Sequence, residues 1–106
     1  MDFISLFVAT SVATFYSMAF IWDAGNVPHI QRHKVEPEEA EEALTDPARL
    51  SGQTYRDVRT GEPRSIVVGE TEDGRLLTVI FTVRDANIRV VTARPATPAE
   101  DIEYRR

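Results

Sequence analysis

The sequence predicts an α+β domain: a small antiparallel sheet of three or four strands, packed with N-terminal helices and a C-terminal helix. Three observations predict it. From Arg64 to Arg94 apolar and polar residues alternate at a period of two, interrupted by two turn signals. Ahead of that stretch, Pro37 to Leu44 has the acidic first turn and narrow apolar stripe of a helix. Behind it, Thr97-Pro98-Ala99-Glu100 combines a capping hydroxyl, a proline that suits the first helical position and a glutamate at the third. A chain of 106 residues supports one domain.

Taken in order, residues 1–17 form an N-terminal extension, and 18–106 form the domain. Phe3 to Trp22 is free of charge, and 14 of residues 1–20 are apolar. Ser5, Thr10, Ser11, Thr14 and Ser17 interrupt the run, and no basic residue precedes Arg32. Three readings follow: a translation start placed ahead of a domain opening at Met18, an added surface helix, or a membrane or export segment. Phe20-Ile21-Trp22 reads as a short strand or an extended lead-in. Asp23 or Asn26 caps a helix over Val27–His33, with Pro28 tolerated in its first turn. A second helix opens at Glu36-Pro37, buries Ala40, Ala43 and Leu44, and stops at Asp46-Pro47. Leu50 to Gly61 is a polar connection with a strand near Tyr55. Arg64–Gly69, Arg75–Val83 and Ile88–Arg94 are the three main strands, joined by turns at Thr71–Gly74 and Arg84–Asn87. The row Leu77, Val79, Phe81, Val83 is expected to face the helices.

Composition narrows the chemistry. There is no cysteine, which excludes disulfides, cysteine-ligated metals and thiol catalysis. Residues 1–46 hold 2 basic and 8 acidic residues, whereas residues 47–106 hold 10 basic and 9 acidic. Every one of those ten cations is arginine. Arginine is the side chain of choice for forked recognition of phosphate or carboxylate. His29 and His33, four apart on one helix face, have no cysteine or further histidine to complete a zinc site. The five glutamates between Glu36 and Glu42 read as a solvated helix face. Arg64 opens the first main strand, Arg75 and Arg84 bracket the second, and Arg89 and Arg94 lie on the third. Arg64 and Arg94 are expected to lie close, because their strands flank the second. Such a cluster suits a phosphodiester; the alternative is pairing with Glu62, Glu70 or Asp85.

The pattern Trp22-Asp23-x-x-Asn26-x-x-His29-Ile30-x-Arg32-His33 resembles the BrnT toxin family. The resemblance continues through Val35-x-Pro37-Glu38-Glu39, Gly61-Glu62-x-Arg64 and Asp73-Gly74-Arg75-Leu76-Leu77. It is fullest in Ile88-Arg89-Val90-Val91-Thr92-Ala93-Arg94-Pro95-Ala96-Thr97-x-x-Glu100-x-x-x-Tyr104. It implies a RelE/ParE-like fold and the toxin role of a type II toxin–antitoxin system. It further implies a cytoplasmic, metal-independent endoribonuclease without a cofactor, acting on RNA to inhibit translation. Its implied partner is a BrnA-like ribbon-helix-helix antitoxin. In that reaction Arg64, Arg84 and Arg94 are candidate charge stabilisers, Arg75 and Arg89 candidate RNA contacts, and His33, Glu62 and Tyr104 the available proton carriers. Two departures stand out. Lys34 occupies the place of a family glycine suited to a left-handed helix end. Gly25 and Asn26 fill a stretch where many members carry lysine. They leave a second reading open: an inactive or weak member that binds its antitoxin and co-represses the operon.

Overall fold

The computed structural model describes residues 18–106. The extension at 1–17 lies outside the described residues. Strand β1 (Phe20–Ile21) leads into α1 (Val27–Gln31) and α2 (Pro37–Leu44). Two short strands follow, β2 (Leu50–Ser51) and β3 (Tyr55–Arg56). The meander β4 (Pro63–Glu70), β5 (Leu76–Arg84) and β6 (Asn87–Pro95) comes next, then α3 (Pro98–Tyr104). The sheet order is β1-β6-β5-β4-β2, with β3 also paired to β4. All pairings are antiparallel except β1 with β6. The fold is therefore α+β, with β5 in the middle of the meander as the alternation predicts. The sheet has six strands rather than three or four, because β1, β2 and β3 add two residues each.

The inner face of the sheet meets α1 and α2. Val67, Leu77, Val79, Phe81, Ile88 and Val90 are buried there against Ile30, Val35, Ala40, Ala43 and Leu44. Val83 has the inward parity but is 39% exposed. It sits at the end of β5 beside the turn, where it pairs with Ile88. That turn has Asp85 at φ 50° and Ala86 at φ 62°, the two left-handed residues of a tight hairpin loop. The other hairpin uses Gly74 at φ 83°, with the Gly74 amide donating to the Thr71 carbonyl at 2.9 Å.

β6 carries an irregularity that sets its faces. Ile80 pairs with Thr92 and Phe81 with Val90, so Val91 is an extra residue. Parity reverses there. Ile88 and Val90 face the core before the bulge, and Ala93 faces it after. Without the bulge Thr92 and Arg94 would be turned inward.

Local sequence explains how the helices are held. Val35 N–H donates to the Ile30 carbonyl and Lys34 N–H to Gln31, the paired bonds of a Schellman end. Lys34 is the left-handed residue at φ 61°, and Ile30 and Val35 close the motif in the core. Asn26 precedes α1 but does not cap it with its side chain. Buried instead, its amide donates to the Ile21 carbonyl at 2.8 Å and the Val90 carbonyl at 3.0 Å. Its carbonyl accepts from Asp23 N–H at 2.8 Å. One side chain thus ties β1, β6 and the start of α1. Trp22 Nε1 donates to Glu41 at 2.7 Å, holding β1 to α2. The capping box at α3 forms as its sequence predicts, with Thr97 and Glu100 exchanging bonds of 3.2 and 2.8 Å.

α2 lies directly on β4 at Gly69. A Cβ there would overlap the Ala43 carbonyl oxygen and stand 2.8 Å from its carbon. Gly69→Ala should therefore push α2 off the sheet and lower unfolding free energy by about 1–3 kcal/mol. Lys34→Gly should act oppositely, gaining up to about 1 kcal/mol by removing left-handed strain. Urea unfolding of both variants beside the parent chain checks the two signs.

Candidate functional site

The outer face of the sheet carries Arg64, Arg84, Arg89 and Arg94. Because the meander is antiparallel, the start of β4, the end of β5 and the start of β6 share one end of the sheet. Ser65 pairs with Phe81, so the register carries Arg64 to a place across from Thr82, and Thr82 pairs with Arg89. Arg64, Thr82 and Arg89 form one row. Thr82 Oγ1 donates to the Pro63 carbonyl at 2.7 Å, locking the β4 side of that row. Arg84 stands one step further along β5, on the same face.

Carboxylates are interleaved with these arginines. Glu62 accepts from Arg84 Nε and lies 2.7 Å from Nη2 as well. Its other oxygen is 3.6 Å from Arg64 Nε. Arg64 Nη1 is 3.4 Å from Asp57. Asp57 closes the turn from β3 to β4, accepting from both the Thr60 hydroxyl and amide. The Thr60 hydroxyl is the main reason that its carboxyl is held below the usual range, with Arg64 and Arg59 adding to it. Arg89 grips Asp23 with two bonds, 2.7 and 3.1 Å. That grip, with the Gly25 amide, brings Asp23 down to about 2. Gly25 leaves room for the pair, since a Cβ there would stand 2.9 Å from Arg89 Nη2. Three arginines and three acids thus share one end of the outer face.

The opposite end is built differently. Arg94 is across from Thr78, four residues along β5 from Thr82. That spacing is about 13 Å along the strand. The expected approach of Arg64 and Arg94 is therefore corrected: β4 and β6 run in the same direction, and the two arginines sit at opposite ends of them. Arg94 makes a forked pair with Glu100 at 2.8 and 3.1 Å. Glu100 also accepts from Thr78 Oγ1 at 2.7 Å. Arg94, then the Thr97 amide and Thr78, outweigh burial and bring the Glu100 carboxyl to about 2. Tyr104 donates to Asp46 at 2.6 Å. Burial, and then that bond to Asp46, push its hydroxyl up to about 12. Burial acts to raise Asp46, but Tyr104, the amides of Glu70 and Ala48, and Arg49 leave it below its ordinary value. Arg75 binds Glu39 at 3.1 Å and the Lys34 carbonyl at 2.6 Å. The turn carrying His33 belongs to this end too, next to Lys34. His33 and His29 rings meet edge to face at 5.9 Å.

The sheet end therefore brings together Arg64, Arg84, Arg89 and Glu62 from the sequence candidates. It does not bring Arg94, Arg75, Tyr104 or His33 to them. Sequence reasoning missed Asp23 and Asp57 as arginine partners. Asp23 was visible in the Trp22-Asp23 pair, but its partner lies 66 positions away. Of the acids expected to pair, Glu62 does so with Arg64 and Arg84; Glu70 lies 3.9 Å from Arg105.

Residues 22–100 match the family model described as ribonuclease toxin, BrnT, of type II toxin-antitoxin system. The chain belongs to the BrnT family. The match spans the domain from Trp22 to the Glu100 that anchors α3, so both ends of the outer face fall within the BrnT region. No curated protein matches the chain. Membership carries a type II antitoxin partner and an RNA target with it. Among the described residues, no helix is long and apolar enough to cross a membrane.

The acid response of this BrnT domain follows from Glu100. Its carboxyl is depressed from 4.5 to about 2, so its contribution is complete above about 4.5 and is lost as pH falls through 2. Glu100→Gln should lower the thermal midpoint at neutral pH and reduce its fall between pH 5 and 2. Thermal melts of both chains across that range measure this.

Proposed function

We propose that the chain is a cytoplasmic endoribonuclease toxin that cleaves RNA and so inhibits translation, and that a BrnA-like ribbon-helix-helix antitoxin neutralises it. The observation that carries this reading is the meeting of Arg64 and Arg84 on Glu62, with Arg89 in the same row at one end of the outer face. Cleavage by the RNA itself needs only protein side chains. The 2′-oxygen attacks the adjacent phosphorus and loses its proton to a base. The P–O5′ bond breaks, and the departing oxygen takes up a proton from water, whose hydroxide is neutralised by the proton the base has gained. The products are a 2′,3′-cyclic phosphate and a 5′-hydroxyl.

In this reading Glu62 is the base, set between two guanidiniums that hold the phosphate oxygens. Arg64 and Arg84 oppose the charge that builds on the phosphorane, where fixed forked donors gain most. Arg89 binds a neighbouring phosphate. A phosphate entering the site exchanges with Asp57, Glu62 or Asp23 for the same donors. Arg94 and Tyr104 serve instead to hold α3, because their polar ends are already committed to Glu100 and Asp46.

Arg64→Ala and Arg84→Ala should each lower cleavage of single-stranded RNA by purified protein about a hundredfold, or about 3 kcal/mol in the barrier. Their thermal midpoints should stay close to the parent. Arg94→Ala should lower the midpoint and leave cleavage unchanged where the protein is folded. Parent-like cleavage by the Arg64→Ala, Arg84→Ala double variant overturns the site. A folded parent chain that binds its antitoxin but cleaves nothing favours the co-repressor reading, which the pairing of each of these arginines with an acid supports.

A further inference from the structure

The row Arg64–Thr82–Arg89 does not stop at β4. Tyr55 on β3 pairs directly with Arg64. Directly opposed residues of an antiparallel pair share a face, with Cβ atoms about 4.5–5.5 Å apart. Tyr55 therefore extends the arginine row by one strand, on the outer face. Its side chain lies outside the core. The residue is 39% exposed. Among the described residues its hydroxyl makes no hydrogen bond and its ring no aromatic contact.

The hairpin that presents Tyr55 is held firmly. Asp57 N–H donates to the Glu62 carbonyl at 2.9 Å, and Gly61 N–H donates to the Asp57 carbonyl at 2.8 Å. Arg56 reaches the Gly61 carbonyl at 2.8 Å. Arg56 and Arg59 make no ion pair within 4.0 Å among the described residues. The result is a fixed aromatic surface, beside a guanidinium, on an arm with two further cations. That combination of flat ring and backbone-tracking charge recognises single strands, because every base presents a π-face once it is unpaired.

We propose that Tyr55 is a base-stacking residue, and that the substrate at the arginine row is single-stranded RNA with an unpaired base next to the cleaved phosphate. This rests on the ribonuclease reading of the row. A base stacked on Tyr55 fixes the neighbouring phosphate against Arg64. A duplex cannot offer that base without being opened.

The cleavage position is first mapped with the parent chain. Binding is then measured by anisotropy with a labelled oligonucleotide carrying 2′-deoxyribose at that position, so that it cannot be cleaved. Tyr55→Ala should weaken binding on the order of ten- to a hundredfold. Tyr55→Phe and Tyr55→Trp should bind as the parent does. Removing the base on the stacked side of the phosphate should weaken the parent and abolish the difference between parent and Tyr55→Ala. The same sequence in duplex form should bind the parent more weakly. Parent-like binding by Tyr55→Ala overturns the proposal, as does an equal loss on probes with and without the bases flanking that phosphate. In either case cleavage by the parent that depends on Arg64 and Arg84 leaves the ribonuclease reading standing. A parent chain that neither cleaves nor binds RNA overturns both.

Discussion

The direction of three strands decides what this surface can do. An antiparallel run of β4, β5 and β6 makes the first residues of β4 and β6 neighbours of the last residues of β5. Arg64, Arg89 and Arg84 occupy those places, so they meet although 25 positions separate the first two in the chain. The same rule sends Arg94 and Arg75 to the far end. β5 can serve as the axis because both of its faces are covered over most of its length: Leu76 to Val79, Phe81 and Thr82 are all buried. The bulge at Val91 then corrects the faces. It keeps Arg94 out of the core while leaving Arg89 on the outer side, so one extra residue avoids the burial of an unpaired charge.

Much of this was legible in the residues. Alternation located β5 and β6, the Asp73-Gly74 turn located a hairpin, and the stripe Ala40, Ala43, Leu44 named the buried side of α2. The left-handed position of Lys34 followed from a departure at a single residue. What escaped has a common cause. A strand of two residues such as β2 has no period to detect; it exists because a long neighbour offers backbone bonds. The bulge is likewise invisible in composition, and a strict period of two puts Arg94 on the wrong face. The partners of the arginines were hidden by distance along the chain. Asp23 meets Arg89 only because Asn26 pins the start of α1 to β6.

α3 shows a different economy. It contributes no buried residue, and Ile102 is largely exposed. What holds the helix is polar: Glu100 with Arg94 and Thr78 near its start, and Tyr104 with Asp46 at its end. Hydrogen-bonded charge is directional where apolar packing is not, so α3 is oriented more than it is stabilised. Its attachment therefore varies with protonation, while the core beneath α1 and α2 does not.

The neutral pairing of the arginine row has a consequence for how nucleic acid is held. A free basic patch gathers mobile cations' opposites from solution, and a bound strand sheds its own condensed ions, which makes affinity fall steeply as salt rises. Here Asp23, Asp57 and Glu62 are anions that the protein carries with it. On the ribonuclease reading, an incoming phosphate trades places with a carboxylate that stays attached to the chain. No small anion leaves the protein in that exchange, and the three acids cancel the pull of the three arginines on a distant strand. Long-range attraction then falls to Arg56 and Arg59 on the hairpin arm, and the row itself acts only at contact. Such a surface selects for fit over mere charge: a polyanion that does not present its phosphate to the forks is turned away by the same side chains that yield to one that does.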